Sequence, residues 1–296
     1  MAYKSLSSWL SLAQHSPWAI PHFNVSTTDQ VQTIVEVCVE HASPLIIGVS
    51  EGEVDFIGYD VIRDVVTLWR DKTGLPIFLN ADHHHSLESA KRAIDAGFDS
   101  VNIDCSLQSE IDNVAETKAV VAYAHSYVAR KNFSRSFEVN VEGEIGALPT
   151  QSSEVMNKRV KIDPATLTTP DQAQRYVDVT GVDRLTPAVG TLHGIEPGGR
   201  NPHIDIDRLK QIAEIITIPV TLHGCSGTPT ADIKKALPYL SNIHINTDLR
   251  VAYTKGLRSE IDDTTTPYKY LTPADEEMKK VVEKYVKLFM SAGKVV

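Results

Sequence analysis

Cysteine is scarce: Cys38, Cys105 and Cys225 are odd in number and far apart in a chain of 296 residues. That excludes a disulfide framework and fits a reducing compartment. Positive charge is in deficit, with 29 Lys and Arg against 38 Asp and Glu and a formal net charge of −9. Such a balance provides no footprint for nucleic acid or an acidic membrane surface. No apolar run approaches the roughly 20 residues of a membrane span. The opening stretch, MAYKSLSSWLSLAQHSPWAIPHF, lacks an uninterrupted apolar segment of the kind a secretory signal carries. A cytoplasmic location is the resulting expectation. There is no G-x-G-x-x-G after the first apolar run, and no linker or low-complexity tract divides the chain.

What is present is an alternation. Short apolar or β-branched runs occupy 19–25, 45–50, 76–82, 100–105, 136–143, 184–190, 219–224 and 242–247, each followed by a longer amphipathic stretch. Eight such units predict an α/β fold, a (β/α)8 TIM barrel, in preference to an open doubly wound sheet. The length suits one such domain over 1–296. Ser86 reads as a helix N-cap and Gly97 as its stop; Thr169, Pro170 and Gly181 bound another helix in the same way. The tail from Thr272 has helical spacing and an acidic first turn, which predicts an extra C-terminal helix on the barrel or against a neighbouring subunit. From Ile145 to Thr169 periodicity is weak, and so long a βα connection is usually a functional loop.

Chemistry in a TIM barrel gathers at the C-terminal ends of the strands. Those ends carry Asp82, His83, Asp104, Glu142, Glu144, His193 and His223. Each histidine alone is more often an ordinary loop residue than a ligand. Three on one rim, from three strands, match the three-ligand form of a catalytic zinc site. His84 and His85 are read as loop residues, solvated or behind the ligands. Gly224, Ser226, Gly227 and Thr247 follow the seventh and eighth strands, where barrels commonly hold phosphate on backbone N–H groups, although tight turns alone would use the same residues.

Spaced motifs in order along nearly the whole chain resemble the class II, metal-dependent fructose-bisphosphate and tagatose-bisphosphate aldolases. They are PHFNVSTTDQ, GVSEG, NADHHHSLE, GFDSVNIDCS, VEGEIG, TGVDRL, GTLHG, LHGCSG, INTD and MSAGK. The resemblance implies a lyase of carbohydrate metabolism, such as glycolysis, that cleaves a ketose phosphate reversibly to dihydroxyacetone phosphate and an aldehyde. It implies zinc on His83, His193 and His223, with Asp104 and Glu144 at an alternative zinc position, with or without a second, monovalent cation. It assigns Asp82 as the acid/base at the C4 hydroxyl. Gly194, Gly224, Ser226 and Thr247 are assigned to the ketose phosphate, with Asn246 and Ser50 on the same substrate. It also implies a homodimer or homotetramer whose subunits complete each other's phosphate pockets. None of the eight runs contains the lysine that a Schiff-base aldolase needs, which favours the metal route.

Departures from the family pattern are numerous and include two lost phosphate-gripping cations. His244 stands where the family has Asn. The lysine after the second zinc histidine is missing from HGIEPGGRNPH, with Arg200 nearby, and Tyr268 replaces the phosphate-gripping arginine. The loop's acidic pair reads Ser152 and Ser153, leaving Glu154, displaced by one residue, as the candidate C3 base. These losses predict altered specificity for the aldehyde half. Two other readings remain open on the residues: a non-catalytic metal-binding relative acting as an accessory subunit, and a different barrel metalloenzyme such as a hydrolase.

Overall fold

A computed structural model describes residues 4–14, 16–127, 139–150 and 154–295. Eight parallel strands pair in the order β6-β5-β4-β3-β2-β1-β8-β7. They are β1 Ile20–Asn24, β2 Leu45–Val49, β3 Ile77–His84, β4 Ser100–Ile103, β5 Asn140–Ile145, β6 Arg184–Pro187, β7 Thr221–Leu222 and β8 Asn242–Ile245. A single parallel bridge, Leu185 to Val220, closes β6 on β7, so the sheet is a barrel, as the alternation predicts. The fifth strand lies later than the expected 136–143 run, of which residues 136–138 fall outside the described residues. The sixth ends at Pro187, three residues before the end of the 184–190 run, and the chain continues into the loop that carries His193.

The α-helices among the described residues are α1 Leu6–Gln14, α2 Thr28–Glu40, α3 Glu51–Ile57, α4 Tyr59–Thr73, α5 Leu87–Ala96, α6 Glu110–Ser126, α7 Pro170–Thr180, α8 Ile206–Ile215, α9 Thr230–Ala236, α10 Thr247–Arg258 and α11 Pro267–Leu288. The caps behave as their chemistry requires. Ser86 accepts from the Ser89 N–H to start α5, and Gly97 ends it in the left-handed conformation; Thr169 and Gly181 do the same for α7. The C-terminal helix begins five residues before the expected Thr272 and lies on α10 and α2. Gly256 permits that approach, since a Cβ there would stand 2.2 Å from the Pro273 carbonyl oxygen. Among the described residues no helix is long and apolar enough to cross a membrane.

The barrel interior changes character along its axis. At the N-terminal end Ile20, Ile46 and Phe78 form an apolar layer closed by Leu6, Trp9, Leu10 and Ala13 of α1. Above it the interior is polar: His22, Asn80, Ser100, Asn140, Arg184 and Asn242 are all buried. Barrels usually fill this level with branched apolar side chains. Outward-facing Leu79, Val101, Val141 and Leu185 join the main core beneath the helices.

β3 breaks its own alternation. Its register with β4 runs Ala81 to Val101 and then His84 to Ile103, one extra residue on β3, and His83 sits at φ 48°. This bulge turns Asp82 and His83 to the same side and sends His84 outward, where its ring meets Tyr59 edge-on at 6.5 Å. The expectation that His84 is a loop residue is therefore corrected. It ends β3 and is fully buried, while His85 is exposed.

Gly48 makes room for the polar layer: a Cβ at this position would lie 2.0 Å from His22 Cε1. Gly48→Ala is expected to destabilise the fold by about 1–3 kcal/mol through overpacking. Combining it with His22→Ala should return much of that loss, giving a non-additive cycle in urea denaturation. Simple additivity would show that the two sites do not press on each other.

Candidate active site

Three chain segments bring imidazoles to one point. His83 comes from the β3 bulge and His223 follows β7 directly. His193 lies in the loop after β6, whose backbone is held by the Pro149 carbonyl and the Thr150 hydroxyl. Gly224, in a left-handed conformation, lets the two loops touch: a Cβ would stand 2.5 Å from the Leu192 carbonyl oxygen. Asn201, buried, bridges them further by donating to the Gly194 and Ser226 carbonyls at 2.8 and 2.6 Å. Ring centroids are 4.8 Å apart for His83–His193 and His83–His223, and 6.2 Å for His193–His223.

One ligand atom from each of these rings lies within 4.8 Å of the others, and His83, Asp104 and Glu144 satisfy the same limit. Nitrogens on a shared zinc ion at about 2.1 Å would sit roughly 3.4 Å apart, so a small contraction suffices. His193 Nε2 and His223 Nδ1 are buried without hydrogen-bond partners. Orphaned imidazole nitrogens are costly unless something takes their lone pairs, so the donor set fits a divalent ion. The other ring nitrogens are oriented by carboxylates: His83 Nδ1 lies 2.8 Å from Asp104 Oδ2, and His223 Nε2 lies 2.7 Å from Glu142 Oε1. That is the usual support for metal-binding histidines.

Charge in this space is tightly balanced. Burial works against ionisation of Asp82, but His83 and His244 hold its carboxyl well below the usual range. His83 is likewise opposed by burial, yet Asp82, Asp104 and Glu144 raise it well above an ordinary imidazole. Burial and the neighbouring Asp104 charge push Glu144 up to about 8. Burial and the other two histidines lower His193 to about 3.

Asp82 is 2% exposed and accepts from Asn24 Nδ2 at 2.9 Å. Its Oδ1 lies 3.1 Å from His244 Nδ1, and neither atom is bonded elsewhere. His244 stacks between His22 at 3.4 Å and His223 at 3.9 Å. Its Nε2 lies 3.0 Å from Asn242 Oδ1, and the Asn242 amide donates to the Ile20 carbonyl, so Nε2 carries the ring proton. His22, Asn24, Arg184 and Asn201 were not legible as site residues. For the strand residues the available signal was a polar side chain at alternate positions of runs expected to be buried.

Two cavities meet at His83, His193 and Asn246. The inner one, of about 20 Å3, is lined by Asp82, His223, His244, Gly194, Gly224, Ser226 and Thr247 among others. The outer one, of about 430 Å3, includes Ser50, Glu51, Asp104, Glu144, Thr150 and Arg250. Ser226 Oγ accepts from the Asp248 N–H in the first turn of α10, joining the two phosphate-type turns. Among the described residues lining either cavity, Arg250 is the one Lys or Arg, and it is ion-paired with the buried Glu53. Glu154 is exposed and lines neither cavity; Arg200 is exposed on its loop and lines neither. Tyr268 is 68% exposed and lines a separate groove between α10 and α11. Ser152 and Ser153 lie outside the described residues.

Comparison with known proteins gives one answer. The family model "Fructose-bisphosphate aldolase class-II" matches residues 4–294. Fructose-bisphosphate aldolase of Staphylococcus aureus is 33% identical over 301 aligned positions, covering 99% of each chain. The crystal structure of the YdjI aldolase from Escherichia coli K12 superposes with a TM-score of 0.82 at 26% identity, over 99% of each chain. A putative fructose-1,6-biphosphate aldolase from Coccidioides immitis shares the fold, with a TM-score of 0.83 at 23% identity over 100% of this chain and 99% of its own. The chain therefore belongs to the class II fructose-bisphosphate aldolase family.

Proposed function

We propose that the protein is a zinc-dependent aldolase that cleaves a ketose 1-phosphate reversibly, and that its aldehyde half is not recognised through a terminal phosphate. The convergence of His83, His193 and His223 beside Asp82 carries this reading. These three histidines would hold the ion, with Asp104 and Glu144 offering an alternative set around His83. When bound, zinc supplies a Lewis acid for the ketose carbonyl and its neighbouring hydroxyl. Asp82 Oδ1, buried with the His244 Nδ1 3.1 Å away, takes the proton of the C4 hydroxyl in cleavage and returns it in condensation. Asn24 keeps that carboxylate in place through Oδ2. Gly194, Gly224, Ser226, Asn246 and Thr247 orient the ketose phosphate, and Ser50 faces the other half from the outer cavity. Glu154 would need to move inward to serve as the C3 base. A homodimer or homotetramer is part of the same reading.

The outer cavity supports the specificity half of the proposal. Its charged lining is dominated by Glu51, Asp104 and Glu144, and the Arg250 guanidinium is already paired with Glu53. A charge-assisted phosphate contact contributes about 1.5–3 kcal/mol, or roughly ten- to a hundredfold in affinity. The two family cations missing here would each have provided one.

Zinc analysis of the purified protein should find metal, and chelation should abolish release of dihydroxyacetone phosphate from ketose 1-phosphates. Asp82→Asn should retain the metal and lose about 10²–10⁴-fold in kcat; a variant as active as wild type would remove Asp82 from the chemistry. In a substrate panel, ketose 1-phosphates should match or exceed fructose 1,6-bisphosphate in kcat/KM. Clear preference for the bisphosphate would refute the specificity claim.

The raised His83 also fixes a pH dependence. Below its folded-state value the metal-free ring is protonated, and it must shed that proton to ligate. Zinc affinity should therefore keep rising with pH above the ordinary imidazole range, with proton release on binding. Calorimetry in buffers of different ionisation enthalpy measures both, and a flat profile with no protons released would count against His83 as a ligand.

A further inference from the structure

Arg184 is fully buried in the barrel wall, lines neither cavity among the described residues, and has no counterpart in the chemistry above. A guanidinium withdrawn from water is tolerated only when its donors are met. Here every nitrogen is engaged. Nε donates to Glu142 Oε2 at 2.5 Å, Nη1 donates to Asn140 Oδ1, and Nη2 reaches Asn80 Oδ1 at 3.1 Å and Ser100 Oγ at 3.5 Å. Four strands thus meet at one side chain, immediately below the histidine cluster.

The consequence lies on the other oxygen of Glu142. Oε1 accepts from Thr186 Oγ1 at 2.6 Å and stands 2.7 Å from His223 Nε2. A carboxylate clamped this way offers only acceptors, so the His223 proton must sit on Nε2. Nδ1 is then unprotonated, buried and without a hydrogen bond, on the side of His83 and His193, with Glu144 Oε2 3.4 Å away. Had residue 184 been apolar, Oε2 would lose its donor; Glu142 would be held through Oε1 alone, by Thr186, Asn102 and His223, and could turn toward His244, whose Nε2 is 3.7 Å from Oε2.

We propose that Arg184 is a positioning residue of the metal centre: it clamps Glu142, and through Glu142 fixes His223 in the Nε2–H tautomer with Nδ1 presented to the ion. The proposal rests on the reading of His223 as a zinc ligand. It differs from a merely structural ion pair in what it predicts for the ring.

The test compares wild type with Arg184→Met by long-range 1H–15N spectra of the histidine rings in the metal-free protein, with zinc affinity from chelator competition and with urea unfolding. In the folded variant the His223 ring should lose its single-tautomer signature and zinc affinity should fall about 10–100-fold. Arg184→Lys, which keeps a charged donor toward Glu142, should recover part of both. If Arg184→Met does not fold, Arg184→Gln carries the same measurements, since it retains donors without the charge. A folded variant with an unchanged ring spectrum and zinc affinity within twofold of wild type, whatever its urea midpoint, overturns the proposal. A wild-type chain that takes up no zinc overturns the underlying reading instead, and the two failures are distinct because only the first leaves zinc bound in both proteins.

Discussion

One backbone irregularity governs the site. In a regular strand Asp82 and His83 would point to opposite sides, and either the acid or the imidazole would be lost among the outer helices. The extra residue in β3 and the left-handed conformation of His83 put both inside. A non-glycine residue in that conformation costs of order 1–3 kcal/mol. The surroundings over-determine it: the His83 N–H donates to Asn102 Oδ1 at 3.0 Å, and its ring is held by Asp104. Strain is tolerated here because the closed barrel leaves the segment no other place to go.

The second constraint is charge. Three buried carboxylates, Asp82, Glu142 and Glu144, and the part-buried Asp104 share a small volume with five imidazoles and a guanidinium. Isolated, each would be expelled or neutralised; together they divide into anions with partners and one acid, Glu144, pushed toward its neutral form. The apolar layer sealed by α1 keeps water from entering this network from below. The inner cavity, the imidazole cluster and the polar layer behave as one connected unit, from Arg184 at the base to the Gly224 and Gly194 turns at the top.

Departures from the family pattern take on a spatial meaning in this unit. His244 is no isolated exchange, since it stacks on His22, which in turn requires Gly48. In the outer cavity the carboxyl groups of Glu51, Asp104 and Glu144 face a single guanidinium, Arg250, which is already ion-paired with Glu53.

The architecture, the capped helices α5 and α7, and the placement of Asp82, His83 and His223 at strand ends were legible in the amino-acid order, whereas His193 lies farther out, in the loop after β6. Periodicity and capping act over a few residues, and an alternation repeated eight times admits few folds. What the order could not show was the β3 bulge, the burial of His84, the stack of His22 on His244, or the reach of Arg184 across four strands. Those depend on barrel closure, which joins residues 80, 140, 142, 184 and 223 in one hydrogen-bonded chain although no local rule links them. Alternation says which side of a strand a residue faces; only the closed barrel decides what it meets there.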